Sequence, residues 1–185
     1  FQMIFVGLLG LFIIPGLSGY NININDDNNA AGSGQQTVSV NNEHNVANVD
    51  NNNGWNSWNT LWDYDAGFAA TRLFAKKSCI VHTLNRDAIP PIEALDALAK
   101  EKKVKIAEKG AGGPPPKGLV YSINPVKVDD LSQFGKHIAG MCQGVPTYEA
   151  DEVQDASLFY YSGKCFNTNV LWILKISYCG KTVEN

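Results

Sequence analysis

The chain has 185 residues, 44% of them hydrophobic and 18% charged, which supports one core-forming domain of about 100–150 residues plus tails. Fifteen Lys and Arg against eighteen Asp and Glu leave a formal net charge of −3, which argues against a nucleic-acid binder. The uncharged run 1–25 turns polar after residue 14, so no apolar run reaches the roughly 20 residues that span a bilayer, which argues against a transmembrane protein.

Residues 1–14 carry no charge and are mostly apolar, and Pro15, Gly16, Ser18 and Gly19 follow. A short apolar run closed by small residues reads as a signal peptide, residues 1–18, with cleavage after Ser18. Residues 20–59 hold fourteen Asn and no Lys or Arg. Such a segment is a poor core former, and disorder is one reading of it. The other is a small hairpin, because valines alternate over 37–40 and 46–49 around the polar turn 41–45. Trp55, Trp58 and Trp62 follow at spacings of three and four, as in a helical or irregular aromatic anchor packed on the domain. Asp63 lies between Trp62 and Tyr64. Burial among aromatics would raise its pKa and make it a candidate pH-sensing group.

Strands are expected over 67–74 (GFAATRLF) and 78–84 (SCIVHTL), joined by Ala75, Lys76 and Lys77. Pro90 and Pro91 open a helix in which Ile92, Leu95, Leu98 and Ala99 recur at helical spacing. It runs into residues 100–109, with five Lys and two Glu, which read as a solvated helix end. The loop 110–118 (GAGGPPPKG) is not a phosphate loop, because proline has no N–H to offer. A short strand follows over 119–123. Asp129 and Asp130 with Gln133 suggest a capping box for a second helix, whose inward face is Leu131, Phe134, Ile138, Met141 and Cys142. Residues 149–155 read as an acidic linker. The last strand candidates are 156–162 (ASLFYYS) and 170–178 (VLWILKISY). The second is aggregation-prone if exposed, with Val170, Leu171, Trp172, Ile173, Leu174 and Ile176 as its client-like positions.

A secreted chain meets an oxidising lumen, so the four cysteines are read as two disulfides. Three pairings exist. Cys165 and Cys179 flank a strand-like stretch and suit a local staple, which leaves Cys79 with Cys142. No C-x-x-C pair points to zinc. His82 lies three residues after Cys79, so in a strand the two face opposite sides and cannot act together. His44 and His137 read as surface residues. No nucleophile, metalloprotease or dinucleotide motif occurs, so a non-enzyme without cofactor or metal is expected.

The stretches TLWDYDAGFAATRLFAKKSCIVHTLN, IPPIEALDALAKEKK, GPPPKGLVYSINP and DDLSQFGKHIAGMCQGVPTYEA resemble the BRICHOS domain of the gastrokines, and the chain resembles them to both ends. The resemblance implies an α+β fold. Its BRICHOS-type antiparallel-rich sheet is flanked by two helices, with an Asn-rich N-terminal segment and disulfide-stapled C-terminal strands. It divides the chain into residues 1–18, 19–52, a BRICHOS domain over 53–150 and a β-prone extension over 151–185. It maps the family's Asp onto Asp63 and its two cysteines onto Cys79 and Cys142. It also implies secretion through the Golgi and granules into the gastric mucosa. The implied roles are epithelial protection, growth control and repair, and anti-amyloid capture of β-prone polypeptides. Its implied partners are such polypeptides, mucin, gastrokine-family proteins or an epithelial receptor. A growth-regulating ligand without chaperone activity is the alternative reading.

Overall fold

Strand periodicity governs this chain more than helical periodicity. In the computed structural model, which describes residues 17–24, 34–107, 117–154, 165–171 and 173–180, ten strands form one mixed sheet. In chain order they are β1 (Leu17–Ile24), β2 (Gly34–Asn41), β3 (Val46–Asn52), β4 (Trp58–Asp63), β5 (Phe68–Leu73), β6 (Ser78–Thr83), β7 (Lys117–Lys127), β8 (Thr147–Glu152), β9 (Cys165–Val170) and β10 (Leu174–Cys179). Two helices accompany them, α1 (Ile92–Ala107) and α2 (Lys136–Cys142). The spatial order is β1-β2-β3-β4-β5-β6-β8-β7-β10-β9. Pairing is parallel between β6 and β8 and between β7 and β10, and antiparallel elsewhere.

The sheet curls until distant strands meet across its inner face. The Tyr178 hydroxyl on β10 lies 2.7 Å from the Thr71 hydroxyl on β5. Gln36 on β2 joins the far edge, its Nε2 donating to the Asn169 carbonyl at 2.6 Å and its Oε1 accepting from the Leu171 N–H at 3.1 Å. One side-chain amide therefore satisfies two edge groups of the β9 end that no strand reaches. Because Gln36 is fully buried, these bonds are shielded from water.

Each face has its own core. The inner one contains Val38, Val40, Val49, Trp58, Trp62, Ile80, Leu119, Ile123, Leu174 and Ile176, with Ile92, Leu95 and Ala99 of α1. The outer one contains Val46, Leu61, Ala70, Val81 and the Cys79–Cys142 pair, with Phe134 and Ile138 beneath α2. The alternation of side chains along every central strand feeds both.

Several expectations are corrected. Trp58 and Trp62 lie on β4, not on a helix; an even spacing of four places both on the inner face, fully buried. Trp55 is not packed at all and stands 82% exposed in a 3-10 turn over Gly54–Asn56. The acidic linker is largely β8, inserted between β6 and β7. Asp130 does not cap a long helix; its Oδ1 accepts from the N–H and hydroxyl of Ser132. The second helix breaks at Gly135, where φ is 89° and an added Cβ would lie 3.1 Å from the Ala66 Cβ. The apolar run 170–178 is not one strand. Val170 ends β9, Leu171 turns with φ 53°, and β10 starts at Leu174. The strand expected over 156–162 and the apolar run 1–14 lie outside the described residues, as do the loop residues 110–116 and Trp172. The hairpin of spaced valines is present as β2 and β3, continuous with the central strands.

Candidate functional site

Asp63, Cys79 and Cys142 lie on the outer face, the two cysteines holding the end of α2 and Asp63 lying near its start. Cys79 lies on β6 and Cys142 is the last residue of α2; their disulfide joins Cα atoms 5.6 Å apart. At the other end of the helix the Asp63 carboxylate accepts the Ala66 N–H at 2.9 Å and packs under Gly135, the residue before Lys136. Asp63 is buried, with Phe68 as its direct register partner across β4 and β5. Trp62 and Tyr64 precede and follow it, so strand alternation sends their rings toward the inner core. Asp63 also lines a pocket of about 230 Å³ with Glu43, His44, Asp65, Ala66, Lys136 and His137. The His44 and His137 rings there are 5.7 Å apart.

The second disulfide, Cys165–Cys179, closes the hairpin of β9 and β10 at its open end, where the two residues are direct register partners. The hairpin's client-like side chains are not displayed to solvent. Val170, Leu171, Leu174 and Ile176 are buried, and Ile173 packs against them. β10 lies along β7, so the central strands' edge is already covered by the chain's own apolar strand.

The inner face carries polar chemistry that sequence reasoning missed. His82 is buried, stacked on Tyr121 with ring centroids 3.9 Å apart. Its Nδ1 lies 2.9 Å from the Thr83 carbonyl, which can only accept, so Nδ1 carries the proton. Nε2 then accepts from the Tyr178 hydroxyl at 3.2 Å. Tyr178 in turn accepts from Thr71, whose hydroxyl is 2.9 Å from that of Thr60. Burial lowers the His82 pKa to about 4 and raises the Tyr178 phenol above its ordinary value. Burial also raises Tyr121, helped by Tyr178 and Glu152. The Asn51 carboxamide, the Trp58 and Trp62 indole N–H groups and the Tyr121 hydroxyl are buried without a hydrogen-bond partner among the described residues. These positions are polar residues at even strand spacing; a weak signal existed in Asn51 falling on the apolar phase of β3.

α1 packs over this face next to β1 and β2. Burying Ile92 and Leu95 contributes about 3–6 kcal/mol in all. The Tyr64 hydroxyl ties down the leading end of α1, donating to the Pro90 carbonyl at 2.7 Å. The two helices therefore differ in kind. α2 is pinned covalently at its end, while α1 carries no disulfide.

Among the described residues no group of three or more His, Cys, Asp or Glu is placed to hold a metal ion, and all four cysteines are bonded. No described helix is long and apolar enough to cross a membrane.

Residues 54–149 match the family model of the BRICHOS domain. Over its whole length the chain is 69% identical to Gastrokine-1 of Homo sapiens, covering 99% of that protein. It is 57% identical to Gastrokine-1 of Mus musculus, over 98% of this chain and 97% of that one. Identity to Gastrokine-2 of Mus musculus is 29%, over 95% of each chain. No solved structure matches.

Proposed function

The chain belongs to the BRICHOS family, in its gastrokine branch, and from that premise we propose that it is a secreted, non-enzymatic module that captures extended, β-prone polypeptide on the inner face of its sheet. One observation carries the reading. An apolar concave face, set with polar groups that lack partners among the described residues, is covered by a helix held without a covalent tie. Each buried unpaired group costs about 1–3 kcal/mol. A polypeptide backbone supplies both N–H and C=O groups that would satisfy Asn51, Trp58, Trp62 and Tyr121, while its side chains replace those of α1. Swinging α1 about its Pro90–Pro91 hinge exposes the face without disturbing α2.

The chain's own β10 shows the kind of sequence such a sheet accepts. Its buried side chains include Leu174, Ile176 and Tyr178, and it is seated on a central strand. In this reading the capture takes place in the gastric mucosa, after passage through the Golgi and granules, and serves epithelial protection, growth control and repair; the gastrokine relatives support it. Asp63 belongs to the same proposal as a pH-sensing residue at the foot of α2.

A thioflavin assay with the purified full chain tests this reading. Amyloid growth of an unrelated β-prone peptide slows at protein levels below those of the peptide. Growth curves that overlay with and without the protein, across a range of ratios, would leave a ligand acting through an epithelial receptor or mucin as the better account.

A further inference from the structure

Three large apolar side chains stand in solvent among the described residues: Trp55 at 82% exposure, Val126 at 69% and Phe74 at 49%. They are distant in sequence but share one rim of the sheet. Trp55 precedes β4, Phe74 follows β5, and Val126 lies at the end of β7. Backbone hydrogen bonds stitch the rim together, from Phe74 N–H to Ser57 at 3.3 Å, Cys79 N–H to Pro146 at 2.8 Å and Val128 N–H to Thr147 at 2.8 Å. The rim is thus the ends of β4, β5, β6, β8 and β7, adjacent in the sheet and about 19 Å across at ordinary strand spacing.

Basic residues concentrate on this rim, with Asp129 and Asp130 bordering it after Val128. The rim carries Lys76, Lys77 and Lys127, and its segments 52–57, 73–79, 124–128 and 143–147 contain no Asp or Glu. The opposite ends of these strands and their loops hold Asp63, Asp65, Asp87, Asp151 and Glu152. Arg72 supports the arrangement from below. Its Nη1 donates to the Met141 carbonyl at 2.6 Å, and its guanidinium sits 5.9 Å from the centre of the Phe74 ring.

An exposed apolar cluster marks an interaction surface rather than packing. Tryptophan and phenylalanine beside lysines match a lipid interface, where rings sit at the headgroup level and ammonium groups meet anionic lipids. A polyanionic glycan would engage the lysines but gives no role to Val126. We propose that this rim docks the protein on an anionic lipid bilayer. The inner face stays free in that pose, so docking stands independently of polypeptide capture.

Flotation of the full chain with vesicles tests it, comparing phosphatidylcholine alone with phosphatidylcholine carrying phosphatidylserine. The protein floats with the mixed vesicles, and added salt weakens binding. Trp55→Ala with Phe74→Ala reduces binding at least about tenfold. Lys76→Gln, Lys77→Gln and Lys127→Gln together remove the preference for phosphatidylserine. All these side chains are at the surface, and near-UV circular dichroism verifies that each variant is folded. Absence of flotation, or flotation indifferent to the aromatic pair, overturns the proposal. So does lysine-dependent binding to a sulfated polysaccharide with none to vesicles, which would make the rim a glycan site.

Discussion

Replacing Cys79 and Cys142 together by alanine lowers the free energy of unfolding by about 4 kcal/mol on chain-entropy grounds. The pair closes a loop of 63 residues, and both side chains are fully buried in the outer core. Alanine avoids burying a hydroxyl, so the loss reports the cross-link and a small cavity. The control is the same change at Cys165 and Cys179, which are separated by 14 residues and should cost about 3 kcal/mol. The two variants also differ in where they loosen. Without the first bond, α2 keeps its contact at Gly135, the Arg72–Met141 hydrogen bond and the packing of Phe134 and Ile138. Without the second, β9 keeps its ladder to β10 and the Gln36 amide. Urea unfolding with hydrogen exchange reads both. A loss below about 1 kcal/mol for the first variant would contradict the role given to this bond.

Acid should weaken the fold through His82. Its folded-state pKa is near 4, below the ordinary value of 6.5, because burial disfavours the imidazolium. The folded state therefore binds fewer protons than the unfolded one. The His82 contribution is intact above pH 6.5, declines as pH falls through that value, and is lost by about pH 4. The total is on the order of 3 kcal/mol, since each tenfold drop in proton affinity on folding is worth about 1.4 kcal/mol. Protonation also puts an N–H where Nε2 accepts from Tyr178, so the hydroxyls of Tyr178 and Thr71 must reverse their donation. No carboxylate touches the ring; its neighbours are Thr83, Tyr178 and Tyr121. His82→Phe keeps the stack on Tyr121, leaves Tyr178 bonded to Thr71, and flattens the stability profile between pH 6.5 and 4. A parent profile already flat there, or a His82→Phe profile as steep as the parent's, would refute the assignment. Asp63→Asn in the same titration separates the second candidate. If its profile follows the parent's at every pH, Asp63 is a structural acceptor for the Ala66 N–H and no sensor.

Part of the fold is legible in the residues themselves. The spaced valines of β2 and β3, the apolar face of α1 and the pairing of cysteines follow from periodicity, spacing and resemblance. Other features are hidden for physical reasons. A spacing of four between Trp58 and Trp62 suits a helix and a strand equally, and β4 decides it by pairing with β3 and β5. β8 buries only Thr147 and Ala150 among acidic neighbours, so its register to β6 and β7 leaves no hydrophobic trace. Aromatic neighbours in sequence do not surround Asp63 in space, because adjacent residues of a strand point apart. The Gln36 contacts span 133 and 135 residues, and nothing local marks one glutamine among many polar residues. The Tyr178–His82 bond spans 96 residues and requires the curl of the sheet.

The central claim is that α1 is the removable cover and α2 the fixed one. Hydrogen exchange of the full chain, with and without a β-prone polypeptide, measures this directly. Binding should speed exchange in α1 (Ile92–Ala107), leave α2 (Lys136–Cys142) unchanged, and keep the strands beneath α1 protected. Unchanged α1 exchange with the client bound, or loosening of α2 in its place, would contradict it.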